Sequence, residues 1–307
     1  MRAMLQIASI FAWMGLGFAL RRARPAGGEF IAINRAIIWF CLPATVLLAI
    51  HGLTWEASDW IPVSMSWIVF LAGAGLLTLL GRMLGWSAST TGALLMTAAL
   101  GNTSFVGFPL LRALEGERAI AVGILCDQPG SFMVLSTLGI FSASYFSSGR
   151  PSLRAMIVRV LGFPPIWALL LALLSRPFSL PSAVSGLLGW GLVTLIPLAL
   201  ISVGGRLRFD RALFRRESAP AVYGLLYKLV LAPLLMTLLL VAILKKDGEM
   251  VRVTILEAAM GPMITGAIVA DEYGLDPELC SLMVSVGTPL CLLTVPLWAK
   301  ILALLGV

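Results

Sequence analysis

The sequence between Gly101 and Pro109 reads Gly-Asn-Thr-Ser-Phe-Val-Gly-Phe-Pro and lies inside 29 consecutive residues without a formal charge, Met83 to Leu111. A run of this length can cross a bilayer as a helix, but this stretch cannot continue a helix smoothly. Its glycines weaken a helix, its three polar side chains compete for backbone groups, and its proline lacks the amide that would bond back to Phe105. Hydrocarbon tolerates freed backbone groups only where they are buried in protein or line a polar cavity. The stretch therefore predicts part of a binding site.

The rest of the chain has the composition of a polytopic membrane protein. Of its 307 residues, 59% are hydrophobic and only 12% are charged, and the mean hydropathy is +0.98. These values leave too little polar surface for a soluble domain. The net charge of +7 comes mostly from basic residues in short connections between apolar runs. The positions of these basic residues therefore indicate membrane topology. The lipid bilayer is the expected partner, and no nucleic acid is expected to bind.

The apolar runs predict an all-α protein with ten transmembrane helices, because a span needs about 20 apolar residues. The first run lacks the basic start and the small-residue cleavage site of a signal peptide, so we expect it to be a span. The predicted helices are residues 4–20, 33–51, 60–81, 87–112, 119–146, 156–175, 183–204, 219–244, 250–271 and 279–304.

The basic residues predict the orientation of these helices. One set of alternate connections holds 13 of them, and the opposite side holds eight. The positive-inside rule places the richer side in the cytoplasm. Both termini are then periplasmic or extracellular, in a plasma membrane that is the inner membrane of a bacterium.

Proline spacing suggests an internal duplication. Pro43 and Pro197 are 154 residues apart, and Pro109 and Pro262 are 153 apart. Both pairs join helices of matching rank in two sets of five, although chance among 17 prolines is the alternative. Because five is odd, the second copy would enter the membrane from the opposite side. The two copies would then be two inverted five-helix repeats. The copies would be residues 1–147 and 148–307.

The second copy contains its own helix break. Residues 258–267 read Ala-Ala-Met-Gly-Pro-Met-Ile-Thr-Gly-Ala, in which Gly261 and Pro262 interrupt the ninth helix. Broken helices four and nine are expected to cross near the membrane midplane. There each half-helix N-terminus carries about half a positive charge and can hold the oxygens of an anion. The alternative is a pair of ordinary proline kinks.

Three ionisable residues interrupt other apolar runs, and charges at such depth usually face a cavity or a partner. Asp127, which Gln128 follows, could bind a coupling cation or carry a proton, or could instead pair with Lys228. Lys228 could attract an anion or extend its ammonium to the cytoplasmic headgroups. Glu257 lies five residues after Arg252, which favours an interfacial position over a site role.

Enzymatic chemistry is not expected. The single histidine, His51, ends helix two on the outside, whereas the nearest approach to a serine-nucleophile motif, residues 85–88, begins helix four on the inside. The four cysteines lie in apolar segments without a C-x-x-C motif, so we expect buried small residues and no metal site.

Several motifs, in order along almost the whole chain, resemble those of the auxin efflux carrier family. This family includes bacterial malonate-type permeases and is related to the plant PIN carriers and to the bile acid/sodium symporters. The motifs are Asn34 with Pro43, residues 101–109, Asp127-Gln128, residues 197–204 (Pro-Leu-Ala-Leu-Ile-Ser-Val-Gly), Lys228 before Pro233, Ala-Met-Gly-Pro ending at Pro262, and residues 272–278. Residues 101–109 are the most specific of these.

The resemblance implies two inverted five-helix repeats that interleave a scaffold domain with a core domain where helices four and nine cross. It also implies transport of small organic anions by an elevator-like or rocking movement. Two departures alter the pocket. Gly261 separates Met260 from Pro262, where the family usually has Met-Pro, and Ser104 stands where glycine is common. The substrate of a relative is therefore not assigned to this chain.

The leading hypothesis is a secondary carrier for a small organic anion, and a carboxylate is the expected anion. The alternative is a receptor or sensor that has the transporter fold but does not transport its ligand. The predicted substrate-binding residues are Asn102, Thr103, Ser104, Gly107, Pro109, Gly261, Pro262 and Thr265. The predicted coupling or gating residues are Asp127, Gln128, Lys228 and Glu257. No cofactor is expected beyond an H⁺ or Na⁺ coupling ion, and a homodimer is compatible with the sequence.

Overall fold

The computed structural model describes residues 2–23, 28–51, 58–147, 153–175, 177–208 and 211–307. Within these residues the secondary structure is helical, apart from one isolated antiparallel bridge. The helices are α1 (Arg2–Ala23), α2 (Glu29–His51), α3 (Trp60–Leu84), α4 (Ala88–Thr97), α5 (Thr103–Leu114), α6 (Ala119–Phe146), α7 (Leu153–Leu161), α8 (Pro164–Ser175), α9 (Ser182–Arg206), α10 (Arg211–Leu226, continued to Ile243), α11 (Glu249–Ala258), α12 (Ile264–Glu272) and α13 (Pro277–Leu304).

Six of these helices are long and apolar enough to cross a membrane: α2, α3, α6, α9, α10 and α13. Two shorter apolar helices are α5 and α8. The protein is therefore an all-helical, multi-pass membrane protein. Each of the ten predicted ranges contains helix, but ten spans in two inverted repeats stay a prediction. The predicted boundary between the repeats, at residue 148, lies outside the described residues.

Three of the predicted ranges are divided in the structure. The breaks between α4 and α5 and between α11 and α12 fall in the two stretches that the sequence singled out. The third break was not predicted: residues 156–175 were expected to form one helix, but α7 ends at Leu161 and α8 begins at Pro164. The Pro164-Pro165 pair lacks two amide donors and disfavours helical geometry at the preceding residue, which explains this break.

Some of the long helices widen into π-helical turns close to a proline, whereas Pro197 in α9 and Pro289 and Pro296 in α13 lie in regular α-helix. Such turns span Asp127–Phe132 in α6, around Pro129, and Tyr227–Leu231 in α10, just before Pro233. A proline removes one intrahelical donor, and a wider turn redistributes the freed carbonyls without ending the helix. The turns place Asp127 and Lys228 where each helix is irregular.

The helices pack in two groups. One contains α1, α2, α8 and α9, in which α1 packs along α9 and α8 packs along α2. The other is built around the breaks, with α4 against α12, α11 against α3 and α6, and α10 against α13. Large apolar side chains cover the outside, and each of the following is more than half exposed: Trp39, Leu71, Leu174, Trp190 and Leu293. Such a surface suits lipid contact.

Candidate functional site

The two helix breaks meet inside the second group of helices. Gly101 and Pro262 form the antiparallel bridge, and the backbone N–H of Asn102 donates to the carbonyl of Gly261 at 2.9 Å. A second contact joins the N–H of Met263 to the carbonyl of Thr97 at 3.3 Å. These bonds satisfy backbone groups that neither helix can satisfy alone, so the breaks stabilise each other.

Asn102 ends the first break and begins α5. Its Oδ1 accepts a hydrogen bond from the N–H of Phe105 at 3.2 Å, which caps the helix. The amide nitrogen Nδ2 is buried and has no hydrogen-bond partner within the described structure. Because the cap requires an acceptor oxygen, the unpartnered group is the NH₂ donor. A buried amide that lacks an acceptor is suited to bind a ligand oxygen.

The first break lies at the start of the predicted stretch, and Pro109, one of the three causes expected for it, does not contribute to it. The helix stops at Thr97 and restarts at Thr103, so the half-helix N-terminus is at Thr103 and Pro109 lies inside α5. The residues Thr103–Gly107 form a π-helical turn, which takes up the amide missing at Pro109. Pro109 and Gly107 are both buried, and neither is at the helix end.

The second break lies where the sequence predicted it. α11 ends at Ala258, and α12 begins at Ile264, directly after Pro262 and Met263. A methyl group added to Gly261 would lie 3.0 Å from the sulfur of Cys291, so little space separates this break from α13. Thr265 lies in the first turn of α12 and is half-buried.

Asp127 is buried beside the start of α5. Thr103 donates its hydroxyl to one carboxylate oxygen of Asp127 at 2.5 Å, and the Gln128 amide donates to the other at 2.5 Å. Ser104 is half-buried next to Thr103. The structure thus brings the polar residues of the first break onto the acidic residue of α6, a pairing that sequence reasoning did not predict.

Lys228 neither reaches the headgroups nor pairs with Asp127, and its attraction of an anion stays a prediction. Its side chain is only 1% exposed, so it does not extend to the headgroups, and among the described residues no ion pair joins it to Asp127. Its ammonium donates to the carbonyl of Ala258 at 3.0 Å. Ala258 is the last residue of α11, where the helix dipole is negative, so this position favours a cation.

Glu257 is fully buried, and the expectation of an interfacial position is wrong. Arg252 pairs instead with Glu115, whose carboxylate accepts from the guanidinium at 2.8 to 3.0 Å. Neither carboxylate oxygen of Glu257 has a partner in the described part of the chain. A methyl group added to Gly107 would lie 2.8 Å from this carboxylate, so the glycine is what allows its close approach to α5.

A narrow gap separates Lys228 from Glu257, and it is too small to hold a water molecule. Its walls include Thr103 and two serines that sequence reasoning missed, Ser66 and Ser131, whose hydroxyls lie 2.8 Å apart. Ser131 follows Asp127 by four residues, on the same face of α6, and this spacing could have identified it. Ser66 lies in an apolar run of α3 with no pattern to mark it.

Ionisable side chains and hydroxyl groups are concentrated at this centre. Two carboxyl groups, one ammonium and several hydroxyls meet at the crossing, beside the N-terminus of α5. In the described ranges, no group of three or more His, Cys, Asp or Glu side chains is placed to hold a metal ion. The four cysteines are buried and free. His51 lies 3.5 Å from the hydroxyl of Ser175, and this pair joins α2 to α8.

Comparison with known proteins identifies transporters that match most of the chain. The model of a family described as membrane transport protein matches residues 2–299. An uncharacterized transporter of Methanothermobacter thermautotrophicus is 28% identical over 300 residues, which cover 96% of this chain and 97% of the relative. An uncharacterized transporter of Methanocaldococcus jannaschii is 23% identical over 279 residues, which cover 88% and 89%.

Proposed function

Because the chain belongs to the membrane transport protein family, the auxin efflux carriers, we propose that it is a secondary carrier that moves a small organic anion by alternating access. Family membership supports transport over an enzymatic role. The match over residues 2–299 also agrees with motifs that are distributed along the whole sequence.

The main support for the proposal is the position of Asn102 where the two helix breaks cross. Asn102 is bonded through its backbone to the opposite break, caps α5 through Oδ1 and keeps a buried NH₂ group without an acceptor. The first turn of α5 adds backbone amides and the positive end of a helix dipole. An anionic oxygen bound here would satisfy the unpaired donor, and Ser104 offers a hydroxyl at the same helix end. The hydroxyl of Thr103 is donated to Asp127 and would become available only if that bond opened.

The groups buried beside the crossing support coupling to a cation. Asp127 has hydroxyl and amide donors, whereas Glu257 has no partner among the described residues. A buried carboxylate without a partner is costly, so Glu257 is suited to carry a proton or to bind Na⁺ when the carrier changes state. Lys228 would hold the middle of α10 to the end of α11 during that change.

The packing into two groups supports a moving core and a static scaffold. The group with α1, α2, α8 and α9 would stay fixed, and the group that contains both breaks would move with its ligand. The gap at the crossing is closed, so ligand entry requires a rearrangement. In this proposal ten spans form two inverted repeats in the plasma membrane, with the arginine-rich connections in the cytoplasm.

Counterflow in liposomes tests the carrier proposal. Purified protein is reconstituted with unlabelled succinate, acetate or lactate inside, and uptake of the labelled anion is measured against its external concentration. A carrier gives saturable uptake that is accelerated by the internal anion. A channel gives unsaturable conductance, and a receptor gives binding without flux. Either of the last two results would exclude the carrier.

A further inference from the structure

Two tryptophans of the group that contains the breaks donate hydrogen bonds to backbone carbonyls of neighbouring helices. The indole N–H of Trp298, on α13, donates to the carbonyl of Leu229 in α10 at 2.9 Å. The indole N–H of Trp67, on α3, donates to the carbonyl of Pro129 in α6 at 3.2 Å. Tryptophans of membrane proteins are enriched at the two bilayer surfaces, where they anchor helices. These two side chains instead join one helix to another.

The carbonyl of Leu229 needs a donor from outside its own helix. In a regular helix it would accept from the N–H four residues later, but that residue is Pro233, which has none. A carbonyl without a donor is costly at membrane depth. Trp298 is only 9% exposed, and its indole supplies the missing donor from α13.

The carbonyl of Pro129 has also lost the donor that it would have in a regular helix. The N–H of Met133, four residues later, donates to Gly130 at the end of the wide turn Asp127–Phe132. Trp67 donates to the Pro129 carbonyl from α3. Each of the two indoles therefore bonds to a π-helical turn, where the regular hydrogen-bond pattern of the helix is interrupted.

Both of these turns carry a buried ionisable residue of the crossing. Lys228 directly precedes Leu229, and Asp127 lies two residues before Pro129. If the indole bond to Leu229 were lost, the backbone would have to rotate to find another donor for the carbonyl. The side chain of the preceding residue would change direction with it. The ammonium of Lys228 would then move from the carbonyl of Ala258, to which it now donates at 3.0 Å.

We propose that Trp298 and Trp67 are positioning residues of the carrier, each of which fixes the turn that directs an ionisable side chain to the crossing. Trp298 acts through Lys228, and Trp67 acts through Asp127. The inference rests on the proposed function for its effect on flux. The coupling between a tryptophan and its ionisable residue in the stability of the protein does not depend on transport.

Trp167 provides a matched control within the same chain. Its indole N–H donates to the carbonyl of Leu161 at 2.7 Å, and Pro165, four residues after Leu161, likewise lacks an amide. This bond lies at the break between α7 and α8, beside the group that contains α1, α2, α8 and α9. Phenylalanine keeps an aromatic ring and removes the N–H. Trp167→Phe therefore loses the same kind of bond away from the crossing.

A double-mutant cycle on the purified, detergent-solubilised full chain tests the inference. Unfolding temperatures are measured for the wild type, Trp298→Phe, Lys228→Met and the double variant. Trp298→Phe should lower the unfolding temperature of the wild type by about 4 °C, and that of Lys228→Met by about half as much or less. The second loss is smaller because the bond from Lys228 to Ala258 is already absent. Trp167→Phe should lower the unfolding temperature equally in both backgrounds.

Counterflow in liposomes with labelled succinate, acetate or lactate gives a readout that a merely structural role would not change. Trp298→Phe should lose about tenfold in flux, whereas Trp167→Phe should transport like the wild type. Flux equal to that of the wild type in Trp298→Phe, or equal losses of flux in both variants, overturns the inference. If Trp298→Phe does not fold, Trp67→Phe with Asp127→Asn forms the equivalent cycle.

The outcomes separate this inference from the carrier proposal. Coupling between Trp298 and Lys228 in unfolding, in a protein without flux, supports the positioning of Lys228 and contradicts the carrier. Saturable flux of an anion, together with additive effects of the two substitutions on the unfolding temperature, supports the carrier and contradicts the positioning role.

Discussion

The backbone N–H of Asn102 donates to the carbonyl of Gly261 at 2.9 Å, and this bond joins the two helix breaks. Each break leaves backbone groups that lipid cannot satisfy, so neither is expected to be stable at membrane depth without the other. The bond therefore has a structural role and, in the proposed carrier, also a functional one. It closes the crossing and places the side chain of Asn102 at the start of α5.

Gly101→Ala tests how closely Lys228 must approach the crossing. The added methyl would lie 2.9 Å from the Lys228 ammonium, which must then move from the carbonyl of Ala258. We expect flux to fall about tenfold, whereas the unfolding temperature changes little because the tip of a lysine can shift. Gly75→Ala, in open space on α3, is the control and should leave flux unchanged. Normal flux in Gly101→Ala would contradict a role for this contact.

Glu257→Gln tests whether this carboxyl carries a coupling proton. The substitution keeps the size of the side chain and removes its charge. The unfolding temperature should stay close to that of the wild type, because the loss of the unpartnered carboxylate offsets the loss of a counter-charge for Lys228, which keeps its bond to the carbonyl of Ala258. Flux driven by an inward proton gradient should fall to the level measured without a gradient. Glu115→Gln is the control: it breaks the ion pair with Arg252, which should lower stability but preserve the response to the gradient. An undiminished response in Glu257→Gln excludes this carboxyl as the proton carrier.

Lys228→Met tests the interaction between the ammonium and Glu257 across their shared gap. The single variant leaves Glu257 without a nearby cation and should be destabilised by about 3 kcal/mol. Adding Glu257→Gln should recover at least about 1 kcal/mol, since it removes the uncompensated charge. Thermal and denaturant unfolding of the four proteins gives the coupling energy. A coupling energy near zero would mean that the two groups act independently.

Thr103→Val tests the hydrogen bond to Asp127. Valine has the shape of threonine, but it removes the donor at 2.5 Å and should lower the free energy of unfolding by about 1–3 kcal/mol. Thr103→Ser should retain most of the stability. The control is Thr237→Val, which removes a buried hydroxyl that bonds only to the carbonyl of Pro233 in its own helix. Equal losses of unfolding free energy in Thr103→Val and Thr237→Val would show that the bond to Asp127 stabilises the protein no more than a hydroxyl bond within one helix.

The sequence predicts the fold class and the crossing because both follow from local chemistry. Gly101 and Pro262 lie in stretches that cannot remain helical, and a shared proline offset relates those stretches before any contact is known. The resemblance to a transporter family is confirmed by the match over residues 2–299. The long apolar runs likewise predict helices whose ends agree closely with the structure, such as residues 119–146 for α6.

The details of the site depend on packing that no local pattern reveals. Pro109 lies inside α5 because the π-helical turn Thr103–Gly107 accommodates the amide donor that proline lacks. The spacing of residues in the sequence does not reveal this turn. Glu257 is buried against α5, while Arg252 pairs with Glu115, a residue distant in the sequence. The arginines of two separate connections were predicted as topology determinants, and only the packing of α1 and α9 brings Arg21 and Arg206 to one cavity.

The central claim is that the crossing holds the anion through Asn102, and counterflow with an Asn102 series tests it most directly. Asn102→Ser keeps a cap for α5 and removes the amide donor, whereas Asn102→Ala removes both. If the unpartnered NH₂ binds the anion, both variants lose flux about tenfold or more, although the serine variant unfolds close to the wild-type temperature. Wild-type flux in Asn102→Ser, with a loss only in Asn102→Ala, would show that Asn102 merely caps the helix and would contradict the account.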